Sequence, residues 1–155
     1  MSDKITLDRI KTIHPNLRAE LEKDYIECNN LLPKGVRLRF AYVYRSIEEQ
    51  NKLFVQRPKV TNAKGGQSIH NYGLAFDIVI LKDKDNNGTF ETASFDIDEH
   101  WKKVVNFFKS KGWAWGGDWK SFKDAPHFEK TFGNTWRTLQ NKEMFIDNGL
   151  KYPKL

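Results

Sequence analysis

The residues of this chain that could do chemistry fall into two short segments. The first, Ser68 to Asp77, reads S-x-H-x-x-G-x-A-x-D and sets the imidazole of His70 seven residues before the carboxylate of Asp77. The second, Asp124-Ala-Pro-His127, sets a carboxylate three residues before another imidazole. Two histidines and one aspartate are a donor set suited to a hydrolytic zinc ion, which takes three protein ligands and keeps one position open. His70, Asp77 and His127 fit the ligand role. Asp124 then remains as a general base for water activated by that ion. The chain has four histidines, and the other two, His14 and His100, show no companion pattern. Leu74 to Leu81 is a nearly continuous apolar run broken by Asp77. A carboxylate in such a run is costly unless paired or metal-bound, which favours a ligand role for Asp77.

The elements that must position these groups follow from periodicity and turn chemistry. Leu17, Leu21, Tyr25 and Cys28 recur at helical spacing, and Pro15 suits a first turn, so Pro15 to Asn30 is predicted helical. Val36 to Tyr44 alternates as a strand, with Val36, Leu38, Phe40 and Tyr42 on one face. Ser46-Ile-Glu-Glu49 is a capping box that opens a helix running to about Gln56. Residues 57–67 are polar and read as a loop. The run from Leu74 to Leu81 reads as a central strand buried on both faces. Residues 83–94 read as a second polar loop. Asp98 to Lys111 is predicted helical, with Trp101, Val104, Val105 and Phe108 inward and Gly112 past its end. His127 to Lys130 reads as a short strand, and Thr135 to Asn148 as a closing helix. Helices at both ends with short strands between them predict an α+β fold.

The 155 residues are 39% hydrophobic and 30% charged, the profile of one soluble domain with a single core, spanning residues 1–155. No apolar run approaches the ~20 residues of a membrane span. The first residues lack the apolar core of a signal peptide, so synthesis in the cytoplasm is expected. Cys28 is the only cysteine, which excludes an internal disulfide and a cysteine zinc site. It is read as a packed apolar residue rather than a nucleophile. The net charge of +6 favours anionic partners. Nucleic acid and the anionic polymers of a bacterial envelope are both candidates, but the basic residues are scattered and no nucleic-acid motif is present. No nucleic-acid partner is therefore expected, and a generally basic, solvated surface is the alternative.

Together with the aromatic, glycine-rich segment Trp113 to Trp119, the two motifs resemble the zinc peptidases of bacterial cell-wall metabolism. That family includes D-alanyl-D-alanine carboxypeptidases and dipeptidases and the L-alanyl-D-glutamate endopeptidases of phage endolysins. Its fold is shared with the amino-terminal signalling domain of hedgehog proteins. Tyr44-Arg45-Ser46, Glu49-Gln50, residues 60–68 and Trp115-Gly-Gly-Asp-Trp-Lys-Ser121 look like the endolysin branch. The resemblance runs from about His14 to Phe132, most of the chain. It implies a small antiparallel sheet with flanking helices, the hedgehog and D-Ala-D-Ala peptidase type of zinc fold. It implies zinc on His70, Asp77 and His127, with Asp124 as the base. Arg45 would steady the tetrahedral oxyanion. Ser68 and Gln50 would orient substrate or the groups behind the ligands. Trp115 and Trp119 would wall the cleft, with core packing as the alternative for each.

The resemblance thus implies a monomeric peptidase of peptidoglycan stem peptides, acting at the L-alanyl-D-glutamate bond as a bacteriolytic endolysin does. It would reach the wall after release or holin-type export. A D-alanyl-D-alanine carboxypeptidase with the same site is one alternative. A noncatalytic wall-binding or signalling module is another, against which Asp124 argues, since a binder needs no base. One further loop, Asp83-Lys-Asp85-Asn-Asn87-Gly88-Thr-Phe90-Glu91, resembles the first half of an EF-hand calcium loop. Its twelfth position is Ser94 rather than the usual Glu, so a complete EF-hand is unsupported; the two readings left are an ordinary Asp/Asn/Gly turn and a nonstandard calcium site on Asp83, Asp85, Asn87 and Glu91.

Overall fold

A computed structural model describes residues 2–155. Strand β2 (Ala75–Lys82) is the axis of the molecule. It pairs antiparallel with β1 (Val36–Tyr42) along one edge, and with β3 (Thr92–Ser94) and β5 (His127–Glu129) along the other. Strand β4 (Ala114–Trp115) completes this five-stranded antiparallel sheet beyond β5. Helices flank it: α1 (Lys4–Ile10), α2 (Arg18–Asn30), α3 (Ile47–Val55) and α4 (Glu99–Ser110). A 3₁₀ turn, Pro15–Leu17, leads into α2, and another, Ile69–Tyr72, leads into β2.

The core lies on the face of β2 that carries Leu74, Phe76, Ile78 and Ile80. Phe76 stacks on Phe40 of β1 at 4.2 Å and on Phe128 of β5 at 5.2 Å. The inward face of α4 closes over them with Trp101, Val104, Val105 and Phe108 buried, as its periodicity predicts. Asp98 caps that helix by accepting from the His100 and Trp101 amides. Because side chains alternate along a strand, burying Phe76 and Phe128 turns Asp77 and His127 to the opposite face. The apolar residues beside the two motif residues therefore set their direction.

Three departures from the sequence reading matter. Tyr42 was expected on the inward face with Leu38 and Phe40. A register shift between Phe40 and Tyr42 rotates it out, and it is 58% exposed. The predicted closing helix over 135–148 is instead a short α5 (Trp136–Gln140) followed by a hairpin of β6 (Met144–Asp147) and β7 (Leu150–Pro153). Asn148 and Gly149, with φ of 49° and 79°, form the turn that an Asn-Gly pair favours between antiparallel strands. That turn outweighs the helical spacing of the preceding apolar residues. Helix α1 and strand β3 were not expected.

The hairpin braces the rest of the molecule. Arg18 pairs with Asp147 at 2.7 Å, and Tyr152 donates to the Thr12 carbonyl at 2.8 Å. The ring of buried His14 lies 2.8 Å from the Pro153 carbonyl, and its amide donates to the Gly73 carbonyl. Gly73 has φ +70°, and a Cβ there would meet the Tyr152 ring at 2.7 Å. Glycine at that place lets the chain turn out of the 3₁₀ segment into β2 against the hairpin. No helix among the described residues is long and apolar enough to cross a membrane.

Candidate active site

Strand register brings the two motifs together. Asp77 of β2 is the direct cross-strand partner of His127 of β5. His70 comes from the 3₁₀ turn before β2, which Ser68 caps by accepting from the His70 amide at 3.3 Å. Asp77 Oδ1 lies 3.1 Å from His70 Nε2 and 3.0 Å from His127 Nδ1. One donor atom from each of the three residues falls within 4.8 Å of the others. Both imidazoles are almost fully buried, whereas Asp77 is partly open to the cleft.

The second ring nitrogens fix the first. His70 Nδ1 lies 2.6 Å from the Val43 carbonyl, which can only accept, so Nδ1 is the donor there and Nε2 is the nitrogen left to face Asp77. His127 Nε2 lies 2.8 Å from Glu129 Oε1. The two rings thus turn opposite nitrogens, Nε2 of His70 and Nδ1 of His127, toward one point. Two neutral imidazoles and a carboxylate converging in this way fit a zinc ion with an open fourth position.

Burial alone would push the Asp77 carboxyl up, but hydrogen bonds from His127 and His70 outweigh it and hold it well below the usual carboxylate range. Burial likewise opposes charge on His127, yet its bonds to Asp77 and Glu129 raise it to about 9.

The cluster opens into a cleft of about 1240 Å³. Asp124, Arg45 and Trp119 line it, and the Trp119 ring is 5.3 Å from that of His127. Asp124 is held from both sides. Its amide donates to the Gly116 carbonyl at 3.0 Å, and its carbonyl accepts from the His127 amide at 3.1 Å. A Cβ on Gly116 would collide with the Asp124 carbonyl, so glycine permits this close approach. Burial, reinforced by the negative charge of Asp77, raises the Asp124 carboxyl above its ordinary value. A raised carboxyl accepts a proton more readily near neutrality.

Arg45 follows β1, and its amide donates to the His70 carbonyl at 3.1 Å. Its guanidinium donates to Gln50 Oε1 at 3.1 Å and lies over the Tyr42 ring at 5.2 Å. Gln50 is fully buried in α3, and its amide nitrogen donates to the Ala63 carbonyl. Gln50 therefore reaches the cleft through Arg45. Trp115, expected as a cleft wall or a core residue, packs against the core and donates from its indole to the Ala125 carbonyl at 2.6 Å. It supports the Asp124 segment from behind. Tyr42, Phe122 and Glu129 also line the cleft and were not singled out in the sequence. Glu129 follows His127 by two, and strand alternation is the signal that would have found it.

Two other sequence expectations concern Cys28 and the 83–91 loop. Burial pushes the Cys28 thiol up to about 12, which leaves it un-ionised and not a nucleophile. In the 83–91 loop, Asp83 accepts from the Asn87 and Gly88 amides, and Asn87 accepts from Thr89. These are Asx-type turns closed by the loop's own backbone. A cluster of three metal donors occurs among the described residues only at His70, Asp77 and His127.

Residues 61–130 match the profile of a family described as D-alanyl-D-alanine carboxypeptidase. The peptidoglycan L-alanyl-D-glutamate endopeptidase CwlK of Bacillus subtilis (strain 168) is 42% identical over 105 residues, covering 62% of this chain and 62% of that protein. The L-alanyl-D-glutamate peptidase of Listeria phage A118 is 40% identical over 129 residues, covering 80% of this chain and 40% of that one. The chain is similar to these peptidases over the stretches matched. It spans about three fifths and two fifths of the length of the two relatives. The crystal structure of the Serratia marcescens L-Ala D-Glu endopeptidase ChiX shares the fold, with a TM-score of 0.56 over 83% of this chain and 87% of that one, at 22% identity. The profile match contains His70, Asp77, Asp124 and His127; Arg45 and Gln50 lie before it and the hairpin after it.

Proposed function

We propose that the protein is a zinc peptidase that hydrolyses the L-alanyl-D-glutamate bond of peptidoglycan stem peptides. The observation that carries this reading is the convergence of His70, Asp77 and His127 at the floor of a cleft that Asp124 and Arg45 line. The names and identities of the two curated relatives support the bond assignment. His70 Nε2, Asp77 Oδ1 and His127 Nδ1 would hold the ion. Zinc, when bound, supplies a Lewis acid and lowers the pKa of water to about 7.

The chain's own residues would do the rest. Asp124 takes a proton from the attacking water as the water oxygen bonds to the alanyl carbonyl carbon. It then delivers that proton to the D-glutamyl nitrogen as the C–N bond breaks, so one water is consumed and the released amine is neutral as it leaves. The Arg45 guanidinium, steadied by Gln50 and Tyr42, faces the charge that develops on the carbonyl oxygen. The cleft exceeds the ~300–1,000 Å³ of an ordinary small-molecule pocket, which suits a site that must admit the middle of a polymer. The net charge of +6 would favour approach to an anionic wall.

The test is digestion of purified peptidoglycan with product masses. New amino termini on D-glutamate, with stem peptides lacking L-alanine, are the expected result. The family description favours one rival, the D-alanyl-D-alanine carboxypeptidase. Release of free D-alanine alone would transfer the protein to it.

A further inference from the structure

We infer that Glu129 is the positioning residue that fixes His127 for metal binding, holding the ring proton on Nε2 so that Nδ1 faces the ion. The inference rests on the metal reading proposed above. Glu129 Oε1 lies 2.8 Å from His127 Nε2, while Asp77 Oδ1 lies 3.0 Å from Nδ1. The two carboxylates thus address opposite nitrogens of one ring. Glu129 is on the far side of the imidazole from Asp77, so it is placed to orient a ligand and not to be a fourth one.

The strand geometry explains why Glu129 is available. It stands two residues after His127 on β5, hence on the same face. Its cross-strand neighbours are Ala75 on β2 and Ala114 on β4. Two alanine side chains leave the space a glutamate needs to lean along its own strand toward the ring. His127 is the only hydrogen-bonding partner of its carboxylate among the described residues. The side chain is 20% exposed, so the bond is largely shielded from competing water.

The two histidines differ in how they are held. His70 is oriented by a backbone carbonyl, that of Val43, which no side-chain substitution removes. His127 is oriented by a side chain, so its contribution can be deleted. A carboxylate behind a ligating imidazole fixes the tautomer and makes the ring a stronger donor, and its loss costs about 10–100-fold in metal affinity.

The experiment is a zinc competition titration against a chelator on the full chain, with ¹⁵N spectra of the imidazole nitrogens. Glu129→Ala should fold as the wild type does by circular dichroism yet bind zinc about 10–100-fold more weakly. In the metal-free protein, at a pH high enough for the ring to be neutral, its His127 should lose the Nε2–H preference expected of the wild type. Glu129→Gln keeps an acceptor at Oε1, so it should retain that tautomer and recover most of the affinity. Glu129→Leu, which keeps the bulk, should behave as the alanine variant and covers the case in which alanine disturbs the sheet. Wild-type zinc affinity in Glu129→Ala or Glu129→Leu would overturn the inference and leave the metal reading standing. No zinc binding by the wild type would overturn both.

Discussion

At the residue scale the proposed site separates the groups that would hold a metal from those that would react. His70, Asp77 and His127 converge from a 3₁₀ turn and two paired strands, whereas Asp124 and Arg45 approach from loops anchored on backbone hydrogen bonds. Removing a reacting group should therefore leave the donor cluster intact. Asp124→Ala is expected to keep its fold and its zinc while turnover falls by about a hundredfold or more, since that is what a positioned base contributes. Arg45→Ala should lose a comparable factor through the unshielded oxyanion, about 10²-fold. Paired measurements of kcat and bound zinc check both. A near wild-type rate in zinc-loaded Asp124→Ala would contradict the assigned mechanism.

At the scale of elements, a buried polar junction ties α1, α2 and β1 together behind the sheet. Asp3 caps α1, accepting from the Thr6 amide and, at 2.7 Å, from its hydroxyl. The same carboxylate takes both Arg39 nitrogens of β1, at 2.9 and 3.0 Å. The Asp3 amide donates to the Tyr25 hydroxyl of α2, which in turn donates to the Leu38 carbonyl. Asp3→Ala removes a helix cap and leaves a partly buried guanidinium unpaired, which should cost about 2–3 kcal/mol in urea unfolding. Burial pushes the Asp3 carboxyl up, but the Arg39 and Thr6 bonds outweigh it, and its folded pKa lies below 3.8. A depressed carboxyl contributes stability above its unfolded value and loses that contribution as pH falls through its folded one. The wild-type advantage over Asp3→Ala should thus be full above about pH 5 and shrink as pH drops below about 4. A difference independent of pH through that range would show that the ion pair contributes nothing.

At the scale of the whole molecule, the proposed zinc site crosses the sheet at its centre and links segments 50 residues apart in sequence, as the Asp77–His127 pair does. An ion that binds the folded chain and not the unfolded one stabilises it by mass action. With free zinc at about a hundred times its dissociation constant the gain is about 2.7 kcal/mol. For a chain of this size that should raise the melting temperature by about 5–10 °C. Calorimetry with and without a strong chelator checks it, and turnover should vanish with the metal. Full activity after thorough chelation would remove zinc from the account.

The order of chemistry along this chain was legible without coordinates, because each motif is local. The spacing of His70, Asp77, Asp124 and His127 named the candidate donors and the candidate base, and the Asp98 cap with the α4 periodicity defined a helix from its own residues. Burial and partners were decided elsewhere. Tyr42 turns outward because of a bulge against β2, and the C-terminal segment ends as a hairpin because two left-handed residues, Asn148 and Gly149, reverse the chain. Glu129 meets His127 because the pairing of β5 with β2 and β4 sets both on the cleft face between small neighbours. A residue type declares what chemistry it can do and which local conformation it prefers. Which atoms it then meets depends on strand register, and register is settled by packing between residues far apart in the chain.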